Sequence, residues 1–78
     1  MSFKIYLRDV LVWMDKGQMA QIHVDGCPTI MFAMIGVDST EEILNMVRRH
    51  TGSQYLEVYM LRGLSGQYQG LEIWCGSK

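Results

Sequence analysis

Residues 37–52 read VDSTEEILNMVRRHTG, and how this stretch is read decides the fold. Ser39 followed by Glu42 is capping-box chemistry, with Glu41 and Glu42 at the positive end of a helix dipole. Arg48, Arg49 and His50 stand at the negative end, and Gly52 supplies the stop. Ile43, Leu44, Met46 and Val47 form one apolar stripe, leaving Glu41, Asn45, Arg48 and Arg49 on the other side. A helix with one apolar stripe needs a partner layer, and the flanking sequence describes a sheet.

Downstream, residues 54–62, QYLEVYMLR, alternate with period 2. That places Leu56, Val58 and Met60 on one face and Tyr55, Glu57, Tyr59 and Leu61 on the other. After the loop GLSGQYQG comes LEIWC, residues 71–75, in which Leu71, Ile73 and Cys75 oppose Glu72 and Trp74. Upstream, TIMFAMIGV, residues 29–37, is apolar on both parities, as a central strand would be. Before it, MAQIHV alternates Ala20, Ile22 and Val24 inward with Met19, Gln21 and His23 outward. Asp25-Gly26 is a strong turn signal between these two runs, and Asp15-Lys16-Gly17-Gln18 has the Gly-containing chemistry of a short hairpin loop. At the start, Phe3, Ile5 and Leu7 alternate with Lys4, Tyr6 and Arg8 like a half-buried strand. The VLVWM that follows is a bulged continuation, a second hairpin arm or a helical turn, its β-branched content favouring strand. The sum is a two-layer α+β sandwich: four or five mostly antiparallel strands with one amphipathic helix on one face, forming a single domain over residues 1–78.

The chain has 78 residues, 49% of them hydrophobic and 19% charged, with one Pro, which describes a globular domain and not a linker. Seven Lys and Arg balance eight Asp and Glu for a net charge of −1, so no basic patch supplies phosphate affinity. The opening MSFKIYLRDV carries Lys4 and Asp9 where a secretory signal needs an apolar run, and no apolar stretch is long enough to span a bilayer. A cytoplasmic, reduced protein is expected.

HVDGC, residues 23–27, raises the question of metal or thiol chemistry, because His23, Cys27, His50 and Cys75 are all the His and Cys there are. Zinc sites usually present ligands in closely spaced pairs, and no C-x-x-C knuckle exists. Cys27 with His23 as base precedes Pro28 in a turn and lacks a nearby helix N-terminus to hold a thiolate. The pairs Glu41 with Glu42 and Glu57 with Glu72 are better explained as helix-end charge and exposed strand positions. GLSGQYQG lacks the Lys and the strand-loop-helix setting of a phosphate loop. We expect no catalytic residue, no metal and no cofactor.

The sheet face turned from the helix is more informative. It is predicted to carry Tyr55, Tyr59 and Trp74, with Tyr6, Tyr68, Met19 and His23 as neighbours, residue types common at protein interfaces. A protein partner, a second copy in a homodimer, or cover by the 8–14 segment would each account for such a face. Base stacking on an aromatic sheet is the nucleic-acid alternative. Lys4, Arg8 and Arg62 are too few for a phosphate track, and Glu57 and Glu72 share the face, so direct nucleic-acid binding is not expected. The predicted contact set is Tyr55, Tyr59 and Trp74 as anchors with Glu57 and Glu72 as polar selectors. Glu41, Asn45, Arg48 and Arg49 on the helix make the second-choice surface.

Two stretches, Met1-x-Phe3-x-x-Tyr6-Leu7 and the strand-to-helix passage Asp38-Ser39-Thr40-Glu41, resemble parts of small phage anti-CRISPR proteins of the type I-F inhibitor group. The resemblance is confined to them, and DSTE before an apolar run is also plain capping chemistry. The C-terminal third departs, with two strand-like segments where those proteins would continue in helix, so their binding residues do not transfer. What the resemblance implies is a non-enzymatic inhibitor that occupies a CRISPR surveillance complex and blocks target DNA. Gly26-Cys27 before a strand and the Ser39-started helix are similar to HicB-type antitoxins. That second resemblance implies a toxin-neutralising module without the DNA-binding appendage often joined to it, and a self-associating small housekeeping domain is the further alternative.

Overall fold

In the computed structural model the described residues are 4–64 and 69–76. The helix expected at the centre of the chain is α2, Thr40–Thr51. Ser39 Oγ accepts from the Glu42 N–H at 3.1 Å, and Glu42 Oε1 accepts from the Ser39 N–H at 3.0 Å. Hydrogen bonding from the Ser39 backbone N–H, and secondly from its hydroxyl, holds the Glu42 carboxyl below its usual range. Gly52, at φ 83°, ends the helix in the left-handed region that a side chain would strain. Ile43, Leu44 and Val47 are buried and Met46 is half-buried, so the stripe lies on the core side.

Among the described residues four strands form the sheet: β1 (Met19–Val24), β2 (Met31–Met34), β3 (Glu57–Gly63) and β4 (Gly70–Gly76), in the order β2-β1-β4-β3. The two outer pairings are antiparallel, while β1 and β4 run parallel at the centre. The topology is therefore two hairpins joined through α2, whose crossover makes the central parallel pair possible. Ala20, Ile22, Val24, Met31, Ala33, Ile73 and Cys75 point to one side and meet Leu7, Val10, Leu11, Ile43, Leu44 and Val47 from the helices. Gly70 is required where β4 approaches β1, because a Cβ there would run into the Met19 carbonyl. Among the described residues no polar or charged side chain is buried, and no helix is long and apolar enough to cross a membrane.

The expected α+β sandwich is present, with a second helix where strand was favoured. Residues Leu7–Trp13 form α1, on the same side of the sheet as α2. Leu7, Val10, Leu11 and Met14 are buried at helical spacing, and the Asp9 carboxylate accepts from the Tyr6 N–H at 3.0 Å. Arg8 meets Glu41 at 2.7 Å across the two helices, both exposed, so the pair adds little stability. Among residues 4–7 only Tyr6 makes a ladder contact, an isolated bridge to Glu57. The opening strand thus contracts to an extended tether beside β3. The Asp25-Gly26 turn forms, with Cys27 N–H donating to Val24 O at 3.0 Å, but β2 starts only at Met31. Residues 15–18 turn between α1 and β1 and not between two strands.

β3 carries the other correction. Its register against β4 shifts between Val58 and Met60, so Tyr59 is an extra residue in a bulge. Beyond it every parity is reversed: Met60 and Arg62 point to the face of Trp74 and Glu72, while Leu61 points with Ile73 toward the helices.

The open face of the sheet as candidate functional site

With α1 and α2 on one side, the other side of the sheet is covered by no element among the described residues. Strand alternation and register assemble its surface. Phe32, Gln21, Glu72 and Arg62 form one row across β2, β1, β4 and β3, and His23, Trp74 and Met60 form the next. Phe32 is 55% exposed and Met60 46%.

The centre of the face is an ordered cluster. The His23 ring stacks on the Trp74 indole with centroids 4.4 Å apart and an interplanar angle of 9°, and the Arg62 guanidinium carbon lies 5.3 Å from the indole centroid. Trp74 is therefore contacted from β1 and from β3 by groups that suit a π-face. Glu72 Oε2 accepts from Arg62 Nη2 at 3.4 Å and lies 3.9 Å from His23 Nε2. Gln21 Nε2 is 3.2 Å from the same histidine nitrogen. The side chains of Gln21, His23, Arg62 and Glu72 thus brace one indole. That stiffness lowers the entropic cost of presenting it to a partner.

Of the sequence-predicted contact residues, Trp74 and Glu72 belong to this cluster. Tyr59 stands at its margin in the bulge, where its hydroxyl donates to Asp25 Oδ1 at 2.7 Å, a bond that raises the phenol pKa. Glu57 lies opposite Gly76 at the end of β3, half-buried. Tyr55 is not on the face: it precedes β3, is 76% exposed, and lines a separate groove with Tyr6, Arg8, Asp9, Leu44 and Gln54. Tyr6, expected as a neighbour, sits at the start of α1, while Met19 and His23 do join the face. Tyr68 and Phe3 lie outside the described residues. Phe32 and Met60 were not expected there, and Arg62 was weighed only as one of too few basic residues. The parity of Phe32 was hidden in a run apolar on both sides, and those of Met60 and Arg62 by the bulge. Glu41, Asn45, Arg48 and Arg49 are all exposed on α2, with Glu41 engaged by Arg8.

The four His and Cys are dispersed. The Cys75 Sγ is buried on the core side, donating to His23 O at 3.6 Å, whereas the His23 ring is on the open side. His50 Nδ1 lies 2.9 Å from Met46 O on α2, and Cys27 follows the turn. Burial, with a lesser contribution from Asp25, pushes the Cys75 thiol up to about 12, so it remains protonated at neutral pH. Among the described residues no three His, Cys, Asp or Glu side chains are grouped to hold a metal ion.

Compared with protein families, with curated proteins and with solved structures, the chain finds no match.

Proposed function

We propose that this chain is a non-enzymatic binding module that occupies a surface of a protein partner through the open face of its sheet. The observation that carries the reading is the one-sided arrangement of the helices. It leaves the exposed Phe32 and Met60 and the half-buried Trp74, with a braced Arg62, on a face that neither helix covers. Aromatic, Met and Arg side chains are the types enriched at interface centres. Glu72 beneath them and a net charge of −1 argue for a protein in preference to a nucleic acid. Occlusion needs only a fitted surface.

The narrower form of the proposal is an inhibitor of bacterial defence carried by a phage or mobile element, acting on a CRISPR surveillance complex in the host cytoplasm. It rests on the resemblance at residues 1–7 and 38–41.

Calorimetric titration of a purified type I-F surveillance complex with the chain tests both forms. Trp74→Ala and Phe32→Ala are each expected to cost about 2 kcal/mol or more of binding with the fold retained, and Arg48→Ala to cost little. Binding that survives both face variants and fails in Arg48→Ala moves the contact to α2. No binding to the complex removes the narrower form.

A further inference from the structure

Three side chains meet His23 on the open face, and together they fix the form of its ring. The amide nitrogen of Gln21 lies 3.2 Å from His23 Nε2. An amide nitrogen only donates, so Nε2 is the acceptor and the ring is neutral, with its hydrogen on Nδ1. The Trp74 indole stacks on the ring at 4.4 Å and 9°. Glu72 Oε2 lies 3.9 Å from the same Nε2, beyond hydrogen-bond reach.

Glu72 Oε2 is also the atom that accepts from Arg62 Nη2 at 3.4 Å. One carboxylate oxygen thus stands between an imidazole on β1 and a guanidinium on β3, nearer to the guanidinium. The side chains of Glu72 and His23 are only 17% and 20% exposed, against 68% for Arg62, so water screens the first pair far less than an ordinary surface pair. The remaining titratable groups close to the ring are engaged elsewhere. Asp25, two residues on, holds the Tyr59 hydroxyl from the bulge of β3 at 2.7 Å, and Cys75 of β4 is on the core side. β2, with the sequence MFAM, brings no titratable side chain.

We propose that His23 is a proton-operated switch on the open face: on taking up a proton it draws Glu72 to itself and releases Arg62. Histidine is the side chain that gains its charge between about pH 8 and about pH 5. A proton from solvent on Nε2 removes the acceptor that Gln21 uses and sets two donors 3.2 Å apart, so the amide must turn. The new Nε2–H needs an acceptor, and Glu72 Oε2 supplies one by moving roughly 1 Å, to the length of a charge-assisted bond. That movement costs only the long bond to Arg62. The imidazolium stays against Trp74, where a cation is better held than a neutral ring, and Arg62 is left sharing that indole with a second cation. The neutral face therefore carries a closed Arg62–Glu72 pair, and the protonated face a freed guanidinium that suits a carboxylate on a partner. This control over binding rests on the open-face reading above, whereas the handover of Glu72 needs no partner.

NMR of the full chain without a partner, from about pH 8 to about pH 5, tests the switch. The ring carbons of His23 read its proton, Glu72 Cδ its change of partner, Arg62 Nε–H its release and Trp74 Nε1–H the stack. The expected result is that all four signals shift together with one midpoint, and that in His23→Gln those of Arg62 and Trp74 stay flat over the same range. A His23 that protonates while Glu72 and Arg62 stay still overturns the proposal, as does an Arg62 response that persists in His23→Gln. Titration of the surveillance complex with the chain at both ends of the range then separates the two readings. Equal binding at both ends, with the four signals moving, upholds the switch and overturns its control over binding, while no binding at either end counts against the open-face reading alone.

Discussion

Cys75 and Trp74 are neighbours in sequence and lie on opposite sides of β4. The thiol is in the core, and the indole is braced on the open face by His23 and Arg62. The thiol has a measurable consequence, because its ordinary value near 9.0 is pushed to about 12 mainly by burial. Between these values the unfolded chain has lost a proton that the folded chain keeps, so rising pH favours unfolding. The contribution is fully present below pH 9.0 and is lost on the way to about 12. Urea midpoints measured through this range should fall more steeply for the native chain than for Cys75→Ala. Equal slopes would mean that the thiol is solvated. Cys27, half-buried after the Asp25-Gly26 turn, should react with a thiol reagent in the folded protein, and Cys75 only once it unfolds.

At the scale of the element, α1 separates two readings of one segment. A strand through 10–14 would bury Val10, Val12 and Met14 together. The helix buries Leu7, Val10, Leu11 and Met14 and leaves Val12 59% exposed. Leu11→Ala should therefore cost about 2–5 kcal/mol of unfolding free energy, while Val12→Ala should be neutral or slightly favourable, since alanine is the better helix former. Denaturant titration of the two variants checks this, and the reverse order would restore the strand. The segment was misread because three β-branched and aromatic residues outweighed an i, i+3, i+4, i+7 stripe that begins inside an apparent strand. α2 was legible from end to end, since cap, stripe and stop agree. The faces of β1 and β4 were legible from alternation alone. β3 was legible only as far as Tyr59: a bulge adds one residue without any signal in the sequence and reverses every position after it. Two members of the candidate site, Trp74 and Glu72, were therefore found, while Met60 was assigned to the helix side, Arg62 was weighed only as a basic residue for a phosphate track, and Tyr55 was placed on a face it does not reach.

At the scale of the molecule, a domain this small buries only about 60% of the surface its unfolded chain exposes, and here one face of the sheet is packed by neither helix. Marginal stability of this kind is raised by whatever binds the folded form alone, a second copy included. If the open face is the binding surface, the melting temperature of the native chain must climb with the concentration of the surveillance complex added to it, because the complex adds stability only to the folded form. Trp74→Ala takes away the indole that His23 and Arg62 brace, and its melting temperature should climb less over the same series. Calorimetric scans of both chains over that series read the difference directly. Equal rises in both chains would place the contact away from the indole, and two flat curves would mean that the complex does not bind the folded chain.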